Sequence, residues 1–448
     1  MKKYLYILII TVFTVSCDKE LNVLPTQSID QTSALATAQD VKVTLIGAYD
    51  GLSDGDVLGG GVQIAYEVIA DDREIVFRGT FTTLDEYWRK VITTTNSQTL
   101  ATWTGSYVAI NRVNNVLSAL DKLDNADKGP VEGEAKFIRG LTYFNLVNLF
   151  AKTWGDGDNA ANPGVPLVTS PTLAVTEADD KPRASVAAVY TQILEDLTKA
   201  EQLLPAKFGG ASFASRVAAK ALLSRVYMTQ GNYAEALKKA NEVIGSGDFD
   251  LSSDYADLFD DNSGGYDAET IFKISVTDQD GVNNLNTYFA PAAFSGRGDL
   301  VIQPKHIALY SASDVRGKFT QIASNRLYTK KFNDLFGDLT IVRLAEMYLN
   351  RAEANFRLSS SVGAGPLADI NLIRSRASAG SIAQADLTLS KIILERKLEL
   401  AFEGNLMLDV KRNKLDVGTL PFSAPALVSP IPQREIDTNK SLVQNPGY

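Results

Sequence analysis

The chain has one cysteine and one histidine in 448 residues. A single thiol, Cys17, cannot form an internal disulfide. A single imidazole, His306, cannot build a histidine-based metal cluster, and a Ser-His-Asp triad would have only that residue to use. His306 lies in Gln303-Pro304-Lys305-His306-Ile307, a turn into a short segment, and reads as structural. Long apolar runs are scarce too. The run from Tyr4 to Val15 falls short of the ~20 residues that span a bilayer as a helix. Excess positive charge is missing: the formal net charge is −9, which argues against a nucleic-acid partner and against adhesion to anionic lipid through a polybasic patch. With 45% apolar residues and only 15 prolines, the chain belongs among folded globular proteins. We expect no metal, no cofactor and no catalytic residue.

What is present begins at the amino terminus. Met1-Lys2-Lys3 supplies a positive n-region and the following apolar run an h-region, as in a secretory signal. Val15-Ser16-Cys17 resembles a bacterial lipobox, in which cleavage leaves the cysteine first and lipid is attached to it. The expected organisation is a signal peptide over 1–16, a lipid-anchored tether over 17–33, and a single domain over 34–448. The length alone would allow two to three domains, but a helical solenoid can run this far as one unit.

Helical periodicity returns from Leu35 to Tyr49, whereas Leu52 to Ala101 is irregular and carries Gly59-Gly60-Gly61. Trp103 to Leu123, Glu132 to Phe150 and Arg183 to Leu204 read as amphipathic helices. In Ser215 to Ile244 the residues Leu223, Tyr227, Gly231, Tyr233, Ala236 and Ala240 match the spacing of a tetratricopeptide (TPR) repeat. Arg343 to Leu358 and Ile370 to Ala377 read as a weaker copy. Between the copies, 248–340 is an insertion rich in Asp, Asn, Gly and aromatics, with β-like runs at Thr270 to Val276 and Leu327 to Lys331. A long insertion in a helical scaffold is where function concentrates. A charged helix is expected at Ile392 to Glu403, and loop from Asn405 to Tyr448.

Glu395, Glu399 and Glu403 share one helical face. Paired carboxylates serve glycoside hydrolysis, but arginines and a lysine abound in the matching blocks, and an ion-pair network is the better reading. Sugar rings stack on flat aromatics with polar groups around the rim. Trp103 and Trp154 read as structural, whereas Trp88 stands among Asp71, Asp72, Arg73 and Arg78 in the irregular region. In the insertion, Asn283, Asn284, Asn286, Tyr288, Phe289, Phe294 and Arg297 form a polar-aromatic cluster. The candidate ligand contacts are Asp71, Arg73, Trp88, Asn286, Tyr288, Phe289 and Arg297. The Asp-rich turns near 156–159, 260–262 and 278–281 lack EF-hand spacing and read as turns. The glycine triplet lacks the lysine of a phosphate loop.

Several blocks together carry a resemblance: Tyr107-x-x-Ile110-Asn111-x-x-Asn114, Glu134-Ala135-Lys136-Phe137-Ile138-Arg139-Gly140-Leu141-x-Tyr143-Phe144, Arg343-Leu344-Ala345-Glu346-Met347-Tyr348-Leu349, Ile370-Asn371-x-Ile373-Arg374-x-Arg376-Ala377, Glu395-Arg396-Lys397-x-Glu399-Leu400-Ala401-Phe402-Glu403-Gly404, and Pro430-Ile431-Pro432-Gln433-Arg434-Glu435-Ile436 with the terminal Gln444-Asn445-Pro446-Gly447-Tyr448. In this order the chain resembles a SusD/RagB-type lipoprotein, the surface glycan-binding component of Bacteroidetes nutrient-uptake systems. The resemblance covers nearly everything after Cys17. It implies a mostly α fold of about four TPR-like helix pairs with few short strands and an irregular, loop-rich ligand-binding face. It implies an outward-facing lipid anchor in the outer membrane and a SusC-like TonB-dependent barrel transporter as partner, to which captured glycan is delivered without catalysis. Asp18-Lys19-Glu20 resembles the surface-export signal of such lipoproteins. The alternatives are a peptide-binding uptake lipoprotein of the same family, a carboxylate-dependent glycan-active enzyme, and a TPR-type scaffold that binds only protein.

Overall fold

The structure is a computed structural model that describes residues 35–448 except 173–179, 208–209 and 280. Cys17, the signal peptide and the tether lie outside the described residues. In chain order the helices and strands are α1 (Ala38–Ser53), α2 (Gly61–Ile69), β1 (Ile75–Phe77), α3 (Thr82–Arg89), α4 (Ser97–Ser118), α5 (Asn125–Phe150), α6 (Val186–Leu203), α7 (Arg216–Gln230) and α8 (Tyr233–Ile244). Then follow α9 (Gly264–Glu269), β2 (Thr270–Ile274), α10 (Asn284–Phe289), β3 (Leu300–Ile302), α11 (Pro304–Ile307), α12 (Val315–Lys318), β4 (Thr320–Ala323), β5 (Arg326–Thr329) and β6 (Leu339–Arg343). The chain ends with α13 (Leu344–Leu358), α14 (Pro366–Arg376), α15 (Leu389–Glu399), α16 (Leu406–Arg412) and α17 (Gln433–Thr438). The fold is mostly α, as expected.

The long helices pack in the order α1, α4, α5, α6, α7, α8, α13, α14, each against the next, which makes four neighbouring pairs. The pair α7–α8 shows how the sequence sets this up. Ser215 caps α7 by accepting from Ala218 N at 3.1 Å. Gly231 ends it at φ +71, and its N–H closes on the carbonyls of Tyr227 and Met228. This left-handed position is one that glycine fills without a Cβ clash. Asn232 then caps α8. Ala236 and Ala240 are fully buried, and their small side chains let α8 approach closely enough for Ser224 Oγ to donate to the Ala236 carbonyl at 3.0 Å.

Two regions differ from the sequence expectation. The stretch 52–101 is ordered into α2, β1 and α3. Its periodicity is hidden because every residue of α2 is buried, and a helix buried all round has no polar face to mark its period. The stretch 405–448 holds α16 and α17, too short to show periodicity. The insertion contributes an antiparallel sheet in the order β1-β3-β5-β4, in which Ile75, Val76 and Phe77 face Ile302, Val301 and Leu300. A separate ribbon pairs β2 with β6. So the sheet joins the early irregular region to the insertion, and both halves of the candidate ligand face meet there.

Candidate functional site

The face is built at one end of this sheet. Past β1, Arg78 N donates to the Asp299 carbonyl at 2.6 Å, which carries the pairing on toward Arg297. Phe81 follows at the entry to α3 and is 48% exposed. The Arg297 guanidinium lies 3.7 Å from the centroid of the Phe81 ring. Stacking of this kind at an exposed site contributes ~0.5–1 kcal/mol and holds both side chains flat. Arg297 also approaches Asp299 Oδ2 at 3.1 Å. That contact is an ion pair without hydrogen-bond alignment, because Asp299 Oδ2 has no hydrogen-bond partner. Burial pushes the Asp299 carboxyl up, and Arg297 opposes that shift.

The second wall is α10. Asn283 caps it, accepting from Leu285 N at 2.8 Å, and its own amide donates to the Gly337 carbonyl at 2.9 Å. Leu285, Asn286 and Phe289 point inward while Tyr288 is half-buried on the outer side. Arg297 N donates to the Thr287 carbonyl at 2.7 Å, which sets Arg297 next to Tyr288; burial raises the Tyr288 hydroxyl pKa, with Arg297 pulling it down. Asn284 Nδ2 donates to the Gly55 carbonyl at 2.8 Å, and its backbone N–H donates to Gly59 at 3.0 Å. These bonds fasten α10 to the glycine-rich loop. Gly60 sits at φ +124, where a Cβ would lie 2.7 Å from that of Asn284. The glycine triplet is therefore a close-packing device. A small pocket is lined by Tyr288 together with Ile64, Leu84, Tyr87, Gln98 and Asn284. Gln98 Nε2 donates to Asp56 at 2.9 Å.

The sequence candidates separate under this geometry. Tyr288 and Arg297 come together, with Phe81 completing the surface. Trp88 is half-buried, donates its ring N–H to the Ile75 carbonyl at 3.1 Å and packs on the core. Arg73 is exposed at the other end of β1. Three candidates are corrected. Phe289 is fully buried between Phe332 and Phe402, with ring centroids at 5.7 and 5.3 Å, so it offers no platform. Asn286 is fully buried and donates to the carbonyls of Phe294 and Phe332 at 3.0 and 2.8 Å, tying the loop down. Asp71 is buried, and its Oδ1 accepts from the N–H groups of Glu74 and Ile75 at 2.9 and 3.1 Å. The sequence reading missed Phe81. Its only signal is an aromatic residue alone among threonines at a helix start, a place where no packing partner is implied.

The remaining titratable clusters are internal. Glu399 is fully buried, and Arg343 donates to it at 2.6 Å, with Arg316 at 3.1 Å and Arg376 also bonded. Arg374 meets Glu395 at 2.7 Å, and Lys331 meets Glu403 at 2.6 Å. Burial alone would raise Glu399, but Arg376, Arg343 and Arg316 hold it well below the usual carboxylate range. This is the expected ion-pair network, joining α15 to β6 and α14. His306 is buried, with Nδ1 at 2.8 Å from Glu74 and Nε2 at 3.1 Å from the Tyr310 hydroxyl. Among the described residues no group of three or more His, Cys, Asp or Glu side chains is arranged to hold a metal ion, and no helix is long and apolar enough to cross a membrane.

The scaffold is a stack of helix pairs that presents an aromatic and polar face and holds Glu395, Glu399 and Glu403 in ion pairs. Comparison with known proteins agrees. The family model described as starch-binding associating with outer membrane matches residues 22–228, and the SusD family model matches 315–424. The SusD-like protein P2 of Formosa agariphila is 24% identical over the full length of both chains. A SusD superfamily protein of Bacteroides thetaiotaomicron is 25% identical, with a TM-score of 0.81 over 92% of this chain and 100% of that one. The surface glycan-binding protein A of Bacteroides uniformis shares the fold at a TM-score of 0.78 and 22% identity, over 91% of this chain and 99% of that one. The chain belongs to the SusD-like family.

Proposed function

We propose that the protein is a cell-surface glycan-binding lipoprotein. It captures an oligosaccharide or polysaccharide and delivers it to a TonB-dependent barrel transporter, without performing a reaction on it. The observation that carries this reading is the exposed Phe81 ring stacked on Arg297, with the half-buried Tyr288 beside them, an aromatic surface with polar neighbours. Exposed apolar patches with a polar rim mark interaction sites, and sugar rings present C–H faces to such a surface. The description of the matching family model and the name of the Bacteroides uniformis neighbour point the same way. Against hydrolysis stands the state of the buried Glu395 and Glu399 and the part-buried Glu403, all three ion-paired. Attachment through Cys17, with 17–33 as tether and 34–448 as one domain, fits a receptor that waits over a pore.

The test is calorimetry of the full-length protein in detergent against a panel of polysaccharides and peptides, repeated with Phe81→Ala/Tyr288→Ala. We expect a glycan to bind, the double variant to lose about tenfold or more in affinity, or roughly 1.4 kcal/mol, and Phe81→Ala alone to weaken binding with its melting temperature unchanged, because that ring is exposed. Full affinity in the double variant would remove the face from the reading. Binding of peptides alone would favour the peptide-uptake alternative, and release of reducing ends would favour an enzyme.

A further inference from the structure

The distribution of arginine partners says something about the ligand that the aromatic face does not. All nineteen arginines of the chain fall within the described residues. Fifteen have side-chain partners, from the buried Arg343 and Arg316 to Arg183 and Arg216, which donate to carbonyls. The four without an ion pair or a side-chain hydrogen bond are Arg73, Arg78, Arg326 and Arg434, and all four are exposed. Three of those four lie in or beside a single sheet. Arg73 and Arg78 flank β1, and Arg326 opens β5.

The register brings them into one neighbourhood. Arg73 and Arg78 are five residues apart, at opposite ends of β1, and at most about 16 Å from each other because the left-handed Arg73 shortens the path. Ile302 faces Leu327, so Arg326 stands beside Gln303, and Gln303 N donates to the Glu74 carbonyl at 2.8 Å. Arg326 is thus two strands from the Arg73 turn, on the order of 10 Å away. The carboxylates on these same segments are already taken. Asp72 pairs with Lys305 at 2.7 Å, Asp85 with Arg89 at 3.5 Å, Asp299 with Arg297 at 3.1 Å, and Glu74 with Lys397. Arg73 adds a second observation. It stands at φ +58, a left-handed conformation that carries a cost for a residue with a Cβ. The Asp71 side chain enforces it by binding the N–H groups of Glu74 and Ile75, and nothing in the fold uses the guanidinium that results. In a chain of net charge −9, three unpartnered guanidiniums on one sheet are a local reversal of sign.

We propose that the glycan held on this face is anionic. Sulfate or carboxylate groups along it are taken by Arg78 next to the Phe81–Arg297 pair and by Arg73 and Arg326 at the far end of the sheet. A guanidinium suits both groups, because its planar fork matches two anionic oxygens at once. The spacing of Arg73 from Arg78 fits charges borne by separate sugar units of one extended chain.

This inference rests on the proposed glycan-binding function, and the experiment separates the two. Full-length protein is titrated with polygalacturonate, dextran sulfate, neutral dextran and poly-glutamate at low and high salt. The titrations are repeated with the triple variant Arg73→Gln/Arg78→Gln/Arg326→Gln. The expected result is binding of an anionic glycan that weakens with salt and falls about tenfold or more in the triple variant. Melting temperature should be unchanged, because these side chains hold no other element. Preference for polygalacturonate assigns carboxylate, and preference for dextran sulfate assigns sulfate. Neutral dextran bound as well as the anionic glycans, with the triple variant unaffected, overturns the inference and leaves the glycan-binding function standing. Binding of poly-glutamate alone, or of nothing in the panel, overturns both.

Discussion

Single residues here divide into those the fold consumes and those it leaves free. Glu399 is consumed: three arginines converge on it with no solvent contact. Glu399→Gln leaves those guanidiniums short of an anion in the interior, which costs ~3–5 kcal/mol. A drop in the urea midpoint with glycan affinity unchanged is expected, and affinity lost at an unchanged midpoint would give Glu399 a ligand role. Glu67 is consumed differently. Its Oε1 accepts from the N–H groups of Gly404, Asn405 and Leu406 at 2.8, 3.0 and 3.3 Å, capping the start of α16. Burial nevertheless pushes its pKa up to about 7, and that of Asp71 up to about 6. A carboxyl whose folded pKa is raised contributes stability that is fully present below its unfolded value, near 4.5, and is lost as pH rises through the folded value. For Glu67 that loss amounts to about 3 kcal/mol and falls between about pH 4.5 and 7. Glu353, held down to about 2 against its burial by Arg412 above all, acts in the opposite sense and removes stability as pH falls below about 4.5. The contributions of these three carboxyls therefore sum to a maximum in mildly acidic solution. Glu67→Gln keeps an oxygen for the three N–H groups and should flatten the decline toward neutral pH. Identical urea midpoints against pH for the variant and the parent would refute this.

At the scale of elements, legibility followed amphipathicity. The helices α4, α6 and α8 face the core on one side and water on the other, so their sequences announced them; α5 and α7 are buried over most of their length and were legible from the length of the one and the repeat spacing of the other, the α7–α8 turn down to Gly231. The helix α2 was silent because it is buried on every side. The six residues of α10 were read as a loop cluster, and their sidedness was lost: Tyr288 faces out while Asn286 and Phe289 face in. No spacing rule distinguishes those faces before the loop 55–60 and the carbonyls of Phe294 and Phe332 fix the helix in place. The ion-pair network was legible because matched acids and bases recur at helical spacing, whereas Phe81 depends on a strand pairing invisible in the chain. The loop 55–60 also makes a prediction. Gly60→Ala drives a Cβ to 2.7 Å from Asn284 and should shift α10, lowering both stability and glycan affinity. Gly231→Ala meets nothing closer than 3.9 Å and should cost only the left-handed strain, ~1 kcal/mol, with affinity kept. Equal affinity in both variants would show that the loop does not set the position of Tyr288.

For the whole molecule, the question is how a ligand face on a folded domain is kept at the place where it is useful. Among the described residues no helix can cross a membrane, and the one thiol lies ahead of them at Cys17. The residues that form the proposed face lie between Arg73 and Arg326, and their positions depend on β1, α3, α10, the loop 55–60 and the sheet. Anchoring and binding should therefore be separable. One acyl chain gives only marginal membrane attachment while two suffice, so a lipidated Cys17 would supply all of the membrane affinity and none of the ligand affinity. Cys17→Ser in the full chain is expected to leave the outer-membrane fraction and to abolish ligand uptake by cells. In solution the same protein should keep its melting temperature and the glycan affinity of the lipidated form. Fractionation paired with calorimetry on the one variant tests both halves. Membrane retention would place the anchor elsewhere in the chain, and weakened binding in solution would mean that the tether or the thiol takes part in holding the ligand.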